Sequence, residues 1–444
     1  MRIYSHSDTG NGELFNDLFG NDIRFNPKTE RWLQWQEGLY WKPLNEVEVY
    51  NLAVKIARHR RFEIAPNLSG NASTKEMAFA VKSENVNQID ATLRAARSIS
   101  PIGNPNIRWD SQLNLLACSN GVVNLSTGVL RSGQRNDFIS RGISLPYIEN
   151  AKAPLWDRFV SDIMCGNQEN IDFLRRAIGY TITGFTTSQV FFLLYGNGSN
   201  GKSVLLDTLN VLLEGFSHTV RFGAFEENNR SDERKDLAEL PGIRLVFASE
   251  SGKKSALDTS VIKQITGSEP ITTSRKYGHP FTFQPQFKLW LTTNNLPKVD
   301  DDSFGFWRRM IVIPFNATFE GNNRDLNMQA KLEGELPGIL AWVVRGAQEW
   351  KKHGLGTPDS LLLRVQEYKE SEDDLANFIS EHTITKLGSK IRFADLYETY
   401  KSWLGEDGNP VSKIEFGRRM RNKLKSYKDM QGTYFADIEI KVII

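Results

Sequence analysis

One short segment constrains the fold of this chain more than any other, the glycine-rich run GNGSNGKS at residues 196–203. It satisfies the pattern G-x-x-x-x-G-K-[ST]. An apolar, strand-like run (VFFLLY, 190–195) precedes it, and a helix-like run (VLLDTLNVLL, 204–213) follows it. Glycines at these positions let the backbone curl so that its N–H groups and the start of the helix face phosphate. The segment therefore predicts a strand–loop–helix unit that binds nucleotide phosphates, and we call residues 196–203 the phosphate-binding loop.

The loop supplies the candidate cofactor contacts. In this motif the lysine, here Lys202, lies against the β- and γ-phosphates of ATP, and the hydroxyl of Ser203 is a ligand of Mg²⁺. The rest of the loop is expected to line the phosphates with its backbone: Gly196, Asn197, Gly198, Ser199, Asn200 and Gly201. The alternative is a glycine-rich turn with an incidental lysine, and the strand and helix in the required register argue against it.

The length of 444 residues suggests about three domains at roughly 150 residues each. Residues 1–150 mix short helix-like and strand-like pieces, which predicts an N-terminal α+β accessory domain. Residues 346–444 end in helices followed by strands, which predicts a helical and winged-helix-like domain. Residues 151–345 carry further apolar runs typical of buried strands in an α/β sheet: RLVFAS (244–249), FKLWLTT (287–293) and MIVIPF (310–315).

Polar side chains next to these strands are the candidate catalytic groups. Glu250 follows RLVFAS, where a carboxylate can activate water or help hold the metal. Asn294 follows FKLWLTT, where an amide can sense the γ-phosphate. Arg308 and Arg309 precede MIVIPF and are candidates for an arginine finger that acts on the nucleotide of a neighbouring subunit. Each has an ordinary alternative, as a charged strand end, a turn asparagine or a solvated arginine pair.

Two basic segments are candidates for binding nucleic acid. ITTSRKYGHPFTF (271–283) predicts a hairpin with a basic, aromatic tip, which suits a phosphodiester backbone. VSKIEFGRRMRNKLKSYK (411–428) predicts a basic helix of the kind that contacts DNA. A solvated hairpin end and a solvent-facing charged helix are the alternatives. The candidate DNA contacts are Arg275, Lys276, Tyr277, His279, Arg418 and Arg419.

Composition limits where such contacts can lie. The chain has 55 Lys and Arg against 53 Asp and Glu, so its net charge of +2 gives no global attraction to nucleic acid or to an anionic membrane. The most apolar run, residues 190–195, is far shorter than the roughly 20 residues that span a bilayer. The first thirty residues lack the apolar core of a signal peptide, and two cysteines fit a reducing compartment. We therefore expect a cytoplasmic protein without a membrane partner.

The ordered set of motifs resembles the core of superfamily 3 helicases of phage and plasmid primase C-terminal proteins, which are related to poxvirus helicase-primases. The resemblance rests on GNGSNGKS, LAELPGIRLVFASE, IKQITGSEPITTSRKYGHPFTFQPQFKLWLTTNNLP and FWRRMIVIPF, in that order. It is dense from about residue 150 to 320. It extends more loosely to GNDIRFNPKTERWLQW near the N-terminus and to the C-terminal segment.

The resemblance implies roles for individual residues in an AAA+-like P-loop core that binds ATP and Mg²⁺. Glu250 matches the acidic end of the Walker B motif, and Asn294 matches the sensor asparagine. Arg308 or Arg309 matches the arginine finger. The segment from Lys263 to about His279 resembles the extra motif of the family and its DNA-tracking hairpin.

The resemblance also implies partners, with two departures from the family pattern. Such helicases are ring-shaped hexamers that thread single-stranded DNA, so we expect a homo-hexamer acting on single-stranded and forked DNA. Some relatives carry two adjacent acidic residues where this chain has Glu250 and Ser251. We therefore expect the metal to be coordinated by Ser203, Glu250 and water. Residues 1–150 are too few for a complete primase-polymerase domain, so a separate primase or polymerase is an expected partner.

Three functions remain to be compared. The first is an ATP-dependent hexameric DNA helicase for the replication of a phage or mobile element in the cytoplasm of its bacterial host. The second is a replication initiator or DNA-binding scaffold whose ATPase controls assembly. The third is a P-loop small-molecule kinase, which is less favoured because the sequence shows neither an arginine-rich lid nor an acceptor pocket.

Overall fold

The computed structural model describes residues 3–227, 233–249, 256–274, 279–301, 303–405, 410–430 and 432–441, except for the side chains of 233–235 and 322. The N-terminal part packs four helices against a small antiparallel sheet. Apolar residues from the helices and the sheet form one core, which includes Phe15, Trp32 and Leu93. The elements are α1 (Asp8–Phe19), β1 (Ile23–Asn26), β2 (Arg31–Trp35), β3 (Trp41–Pro43), α2 (Glu46–His59), α3 (Asn71–Ser83) and α4 (Val86–Ala96).

A second antiparallel sheet follows this part, with its three strands in chain order. Its strands are β4 (Leu115–Cys118), β5 (Gly121–Asn124) and β6 (Leu130–Arg131). β5 and β6 form the hairpin with a glycine-containing turn that the sequence at residues 119–130 predicts. Most residues of β4 and β5 are buried, so these strands belong to the interior of the protein rather than to its surface.

The central part begins with α5 (Pro154–Ile163) and α6 (Gln168–Ile182). Its strands are β7 (Phe191–Tyr195), β8 (Ser217–Thr219), β9 (Leu245–Ser249), β10 (Ile271–Ser274), β11 (Pro280–Phe283), β12 (Lys288–Thr293) and β13 (Met310–Pro314). Its other helices are α7 (Lys202–Leu212), α8 (Thr259–Thr266), α9 (Phe304–Trp307), α10 (Met328–Glu333), α11 (Leu336–His353) and α12 (Asp359–Ser371).

Five of these strands form one parallel sheet in the order β13-β7-β12-β9-β8, and β10 and β11 form a separate antiparallel hairpin. β7, β9, β12 and β13 are almost wholly buried, as their runs of Val, Ile, Leu and Phe predict, whereas the edge strand β8 is partly exposed. Because the strands are parallel, the carboxyl ends of β7, β12 and β9 meet at one edge. The sheet is consistent with a P-loop-like core.

The C-terminal part has the order helix, strand, two helices and two strands. Its three strands form an antiparallel sheet in the order β14-β16-β15. The elements are α13 (Asp374–His382), β14 (Thr383–Arg392), α14 (Phe393–Leu404), α15 (Lys413–Lys423), β15 (Ser426–Asp429) and β16 (Gly432–Ile440). The sequence did not indicate β14, so the expected succession of two helices followed by strands is incomplete.

The sheet β4-β5-β6 shares its core with the central part. Leu116, Cys118 and Val123 lie in the same buried cluster as Trp156 of α5 and Trp342 of α11. The Arg244 guanidinium, just before β9, also donates hydrogen bonds to the carbonyl oxygens of Leu115 (2.8 Å) and Ile182 (2.7 Å). The expected domain boundary near residue 150 therefore crosses a continuous core, and the division into 1–150, 151–345 and 346–444 stays a prediction.

None of the helices in the described part of the chain is both long and apolar enough to cross a membrane.

Candidate functional site

The phosphate-binding loop begins where β7 ends and leads into α7, as the motif predicts. Three of its glycines have positive φ, at 159° for Gly196 and 88° for both Gly198 and Gly201. A Cβ on Gly201 would lie 2.6 Å from Cγ2 of Ile163 in α5, so glycine is required there by conformation and by space. Ser199 also has positive φ, at 45°. This left-handed backbone turns the chain sharply before the first N–H groups of α7.

Neighbouring segments brace the loop. The Gly196 N–H donates to the carbonyl oxygen of Thr293 at the end of β12 (3.3 Å). The Asn200 side-chain amide donates to the carbonyl oxygen of Phe315, just after β13 (3.2 Å). The Phe319 N–H donates to the carbonyl oxygen of Ser199 (2.7 Å). Both strands that flank β7 therefore hold the loop in shape through backbone groups.

Lys202 and Asn294 meet at the mouth of the loop. The Lys202 ammonium donates to Oδ1 of Asn294 at 3.2 Å and to the carbonyl oxygen of Gly196. The Lys202 side chain is buried, and burial lowers its pKa below the usual value. The two residues are 92 positions apart in the sequence, and the parallel pairing of β7 with β12 brings them together.

The metal ligands predicted from the sequence are only partly described. Ser203 lies in the first turn of α7, and its side chain is exposed. Glu250, the residue after β9, lies outside the described residues. The hydroxyl of Ser249, the last residue of β9, accepts a hydrogen bond from Thr292 of β12 (2.8 Å). Among the residues described, there is no cluster of three or more His, Cys, Asp or Glu side chains that could hold a metal ion without a ligand's help.

A cavity of about 430 Å³ opens beside the loop. One wall is the loop, and the other comes from the segment after β13 and from Arg364 of α12. Sequence reasoning did not single out this wall, because its residues form no motif and Arg364 looks like an ordinary charged position on a helix. The lining residues are Tyr195, Gly196, Asn197, Gly198, Ser199, Phe315, Asn316, Ala317, Thr318, Glu320 and Arg364.

Arg308 and Arg309 lie at the opposite edge of the sheet, just before β13. Since β13 pairs in parallel with β7 over five residues, at roughly 3.3 Å each, the two edges are roughly 16 Å apart. Arg308 is exposed and donates to the side-chain oxygen of Gln189 (2.8 Å). Burial, together with the charge of Arg308, lowers the pKa of Arg309. Neither side chain is placed to act on the phosphate-binding loop of its own subunit.

The expected hairpin is present as β10 and β11, and only part of its tip is described. His279 is exposed next to β11, whereas Arg275, Lys276 and Tyr277 lie outside the described residues. Lys263 of α8 pairs with Asp301 (2.5 Å). Burial raises the pKa of Asp301, but hydrogen bonds from Lys263 and Ser303 outweigh this, and the net pKa is lowered.

Arg418 and Arg419 of α15 share one carboxylate. Both guanidinium groups donate to Glu415, and these hydrogen bonds lower the pKa of Glu415 to about 2. Arg419 also approaches Asp300 of the central part at 3.4 Å. The arginines predicted to contact DNA thus take part in ion pairs within the protein, and their binding to DNA stays a prediction.

Two family descriptions match the chain. Residues 12–165 match a family described as "D5 N terminal like", and residues 194–309 match a family of unknown function, DUF5906. The first match runs from α1 into α5, across the shared core. The second contains the phosphate-binding loop, Asn294 and both candidate finger arginines.

Three viral relatives are named as candidate helicases. L207/L206 of Acanthamoeba polyphaga mimivirus is 27% identical over 339 residues, covering 70% of this chain and 35% of the relative. 184R of Invertebrate iridescent virus 6 is 24% identical over 273 residues, covering 58% and 28%. 121R of Invertebrate iridescent virus 3 is 25% identical over 353 residues, covering 70% and 37%. The chain therefore spans about a third of the length of these relatives.

A solved structure, the apo form of the NrS-1 C-terminal region, covers 96% of this chain and 98% of its own, with 11% sequence identity and a TM-score of 0.48. By its two family matches and its viral relatives, the chain is similar to proteins of the D5-like helicase-primase family.

Proposed function

We propose that the chain is an ATP-dependent DNA helicase of superfamily 3, which works as a hexameric ring on single-stranded and forked DNA during replication of a virus, phage or mobile element. The observation that carries the proposal is the contact between Lys202 and Asn294 at the mouth of the loop. A γ-phosphate bound there would contact groups from two neighbouring strands at once. Binding or loss of the γ-phosphate would therefore change contacts on both strands of the sheet. A motor needs such a link in order to couple hydrolysis to movement.

ATP with Mg²⁺ fits the chemistry of the described residues. The N–H groups at the start of α7 and the Lys202 ammonium offer positive partners to the β- and γ-phosphates. The exposed hydroxyl of Ser203 would help hold Mg²⁺, and the bound ion would neutralise phosphate charge. We assign Glu250, which follows β9 in the sequence, to accept the proton of the attacking water and to support the metal.

The remaining roles depend on neighbouring subunits and on DNA. Because Arg308 and Arg309 lie far from the loop of their own subunit, one of them is proposed to serve the nucleotide of the next subunit. The hairpin of β10 and β11 is proposed to follow the single strand, and the C-terminal part to act as a winged-helix-like DNA-binding domain. A separate primase or polymerase is the proposed partner, in the cytoplasm of the host.

Replacement of Lys202 tests the mechanism. Lys202→Ala should lower DNA-stimulated ATP hydrolysis by about 100-fold or more, because the ammonium that compensates phosphate charge is removed. The exposed Lys352 of α11 gives a matched control, and Lys352→Ala should hydrolyse ATP at the wild-type rate. Normal DNA-stimulated hydrolysis by Lys202→Ala would contradict the proposed site.

A replication initiator is the second candidate, favoured by one observation. Arg419 of the C-terminal part approaches Asp300, in the segment that follows β12 and Asn294, so the C-terminal part contacts the central part near the strand that carries Asn294. Strand displacement from a forked duplex separates the two functions. A helicase displaces the strand in an ATP-dependent manner, whereas an initiator scaffold binds the fork and hydrolyses ATP without displacing it.

A further inference from the structure

The C-terminal sheet has one face turned away from its core. Ile391 of β14 and Phe435 of β16 pair with each other and point into the core, where they join residues of α13, α14 and α15. Side chains alternate along a strand, so the residues next to these two lie on the other side of the sheet. We call this side the outer face. Its central residues are Lys390 and Arg392 of β14, Tyr434 and Ala436 of β16, Tyr427 of β15, and Lys425, the residue before β15.

These residues form two rows across the sheet. In the first row Tyr434 pairs with Arg392 on one side and with Tyr427 on the other. In the second row Ala436 pairs with Lys390, and its N–H donates to the carbonyl oxygen of Lys425 (2.8 Å). Two tyrosines therefore lie side by side, with a basic residue at one end of the first row and at both ends of the second.

The two tyrosine rings stack on each other and differ in exposure. Their centroids are 5.6 Å apart and their planes are 16° from parallel. The Lys390 ammonium lies 4.9 Å from the centre of the Tyr434 ring. Tyr434 is thus covered and only 8% exposed, whereas Tyr427 is 42% exposed. The Tyr427 ring stacks on the Tyr434 ring and still exposes part of its aromatic surface to solvent.

The charge of the outer face favours an anionic ligand. Lys390, Arg392 and Lys425 are all exposed. The carboxylate of Asp429, at the end of β15, accepts a hydrogen bond from the Gly432 N–H (3.1 Å), and that of Glu439 pairs with Lys386 (2.5 Å). These two acidic groups have partners of their own, and Lys390, Arg392 and Lys425 lie in the two rows that hold the stacked rings.

We propose that the outer face binds single-stranded DNA, with a base stacked on Tyr427 and phosphates contacted by Lys390, Arg392 and Lys425. A rigid aromatic ring with an open face and cations a few ångströms away is the arrangement that recognises unpaired bases independently of sequence. Bases in a duplex are stacked on each other and do not offer a face to such a ring. The choice of DNA over RNA rests on the proposed helicase function, whereas the stacking site itself does not.

Photocrosslinking gives a direct test. The full chain is irradiated with a short single strand that carries 5-iododeoxyuridine, and crosslinked peptides are identified by mass spectrometry. We expect a crosslink at Tyr427, and the same crosslink in the Lys202→Ala protein, since ATP hydrolysis is not needed for stacking. Crosslinks confined to the central part would overturn the proposal while leaving the helicase function intact. A crosslink at Tyr427 in a wild-type protein that shows no ATPase activity would support the stacking site and contradict the proposed helicase function.

Binding measurements with a labelled oligo(dT) separate stacking from a structural role of the tyrosine pair. Tyr427→Ala should weaken binding by about 5- to 100-fold, and Tyr427→Phe by less than about twofold, because phenylalanine keeps the ring. Tyr50→Ala, at another exposed tyrosine on α2, should bind as the wild type does. Circular dichroism and thermal melts establish that each variant is folded. Equal affinity of folded Tyr427→Ala and wild type would overturn the proposal.

Salt dependence tests the phosphate contacts. Replacing Lys390, Arg392 and Lys425 with glutamine should reduce the slope of log affinity against log salt by about 2, at about 0.7 for each single-strand phosphate contact. An unchanged slope would remove the three cations from the proposed site. Oligo(U) and a duplex of the same length are the comparison ligands. A preference for RNA would reassign the ligand, and a preference for duplex would overturn the stacking mode.

Discussion

The phosphate-binding loop shows that glycines in one motif can be needed for different reasons. Gly198 and Gly201 have the same φ of 88°, which side chains rarely adopt. Around Gly198 an added Cβ meets nothing within 4 Å, whereas at Gly201 it meets Ile163 at 2.6 Å. Gly198 is therefore required by conformation alone, and Gly201 also by the packing of α5 against the loop.

Alanine substitutions at these two glycines should differ in their effect on stability. Gly198→Ala should lower the free energy of unfolding by about 1–2 kcal/mol through backbone strain. Gly201→Ala should lower it by about 1–3 kcal/mol more, because the methyl group overpacks the contact with Ile163. Urea unfolding of the two variants and the wild type measures the difference. Equal losses would show that α5 moves aside without cost.

The candidate site residues were predictable from sequence only where a motif or a strand end marked them. Lys202 follows from the loop pattern, and Asn294 from its position after an apolar strand. Their mutual contact depends on β7 and β12 being neighbours, which no local pattern records. Arg364 lines the cavity beside the loop from a helix that is 162 residues after Lys202 in the sequence (202 to 364), and no feature of its own segment predicts that position.

Among the elements, β12 carries a charge in an unusual place. Lys288 at its start is buried, and its ammonium donates to the carbonyl oxygens of Thr183, Phe185 (3.2 Å) and Gln286 (3.1 Å). Burial, with a smaller contribution from Arg244, lowers the pKa of Lys288 well below its usual value of 10.5. This lysine ties the start of the strand to the segment that follows α6.

The lowered pKa predicts a pH dependence of stability. Between the folded-state pKa of Lys288 and 10.5, the unfolded chain binds more protons at this residue than the folded protein does, so stability rises with pH. Lys288→Met removes this contribution, at most about 1.4 kcal/mol per pH unit. The variant should also be less stable overall, because three carbonyl groups lose their donor.

Urea unfolding at several pH values below 10.5 checks this expectation. The curve of unfolding free energy against pH should be shallower for Lys288→Met than for the wild type. The exposed Lys352 serves as control, and Lys352→Met should run parallel to the wild type. Parallel curves for wild type and Lys288→Met would mean that Lys288 keeps an ordinary pKa in the folded state.

Elements with uniform burial were the ones that sequence predicted well. The runs at 244–249, 287–293 and 310–315 correspond closely to β9, β12 and β13, because strands buried on both sides are apolar throughout. β14 was missed because its residues are largely exposed and polar, TITKLGSKIR, and its register shifts between Thr385 and Lys390. Its strand structure comes from pairing with β16, 40 or more residues away in sequence.

At the scale of the whole molecule, the sheet separates two groups that hydrolysis would need together. The loop with Lys202 lies at the carboxyl edge, and Arg308 lies at the amino edge. A head-to-tail ring resolves this separation, because the amino edge of one subunit can face the carboxyl edge of the next. The placement of the candidate site residues within one chain therefore supports the proposed oligomer.

Mixing two inactive variants tests this arrangement. Lys202→Ala subunits keep Arg308, and Arg308→Ala subunits keep Lys202, so some interfaces in mixed rings are complete. ATP hydrolysis should recover to about a quarter of the wild-type rate at equal mixing, since random assembly completes one interface in four. The same experiment with Arg309→Ala identifies which arginine acts. No recovery with either arginine variant would exclude a shared site.

The core that joins β4, β5 and β6 to α5 and α11 limits where recombination can join segments of two related chains without disrupting the fold. A recombination joint at residue 150 would cut through a cluster that holds Leu116 and Trp342 together. It would also detach Leu115, whose carbonyl group binds Arg244. A joint between the N-terminal core, which ends at Ile102, and β4 would spare both contacts. Chimeras that inherit the small sheet with the central part should therefore remain soluble, since the part of the chain that packs with the central core begins near residue 115.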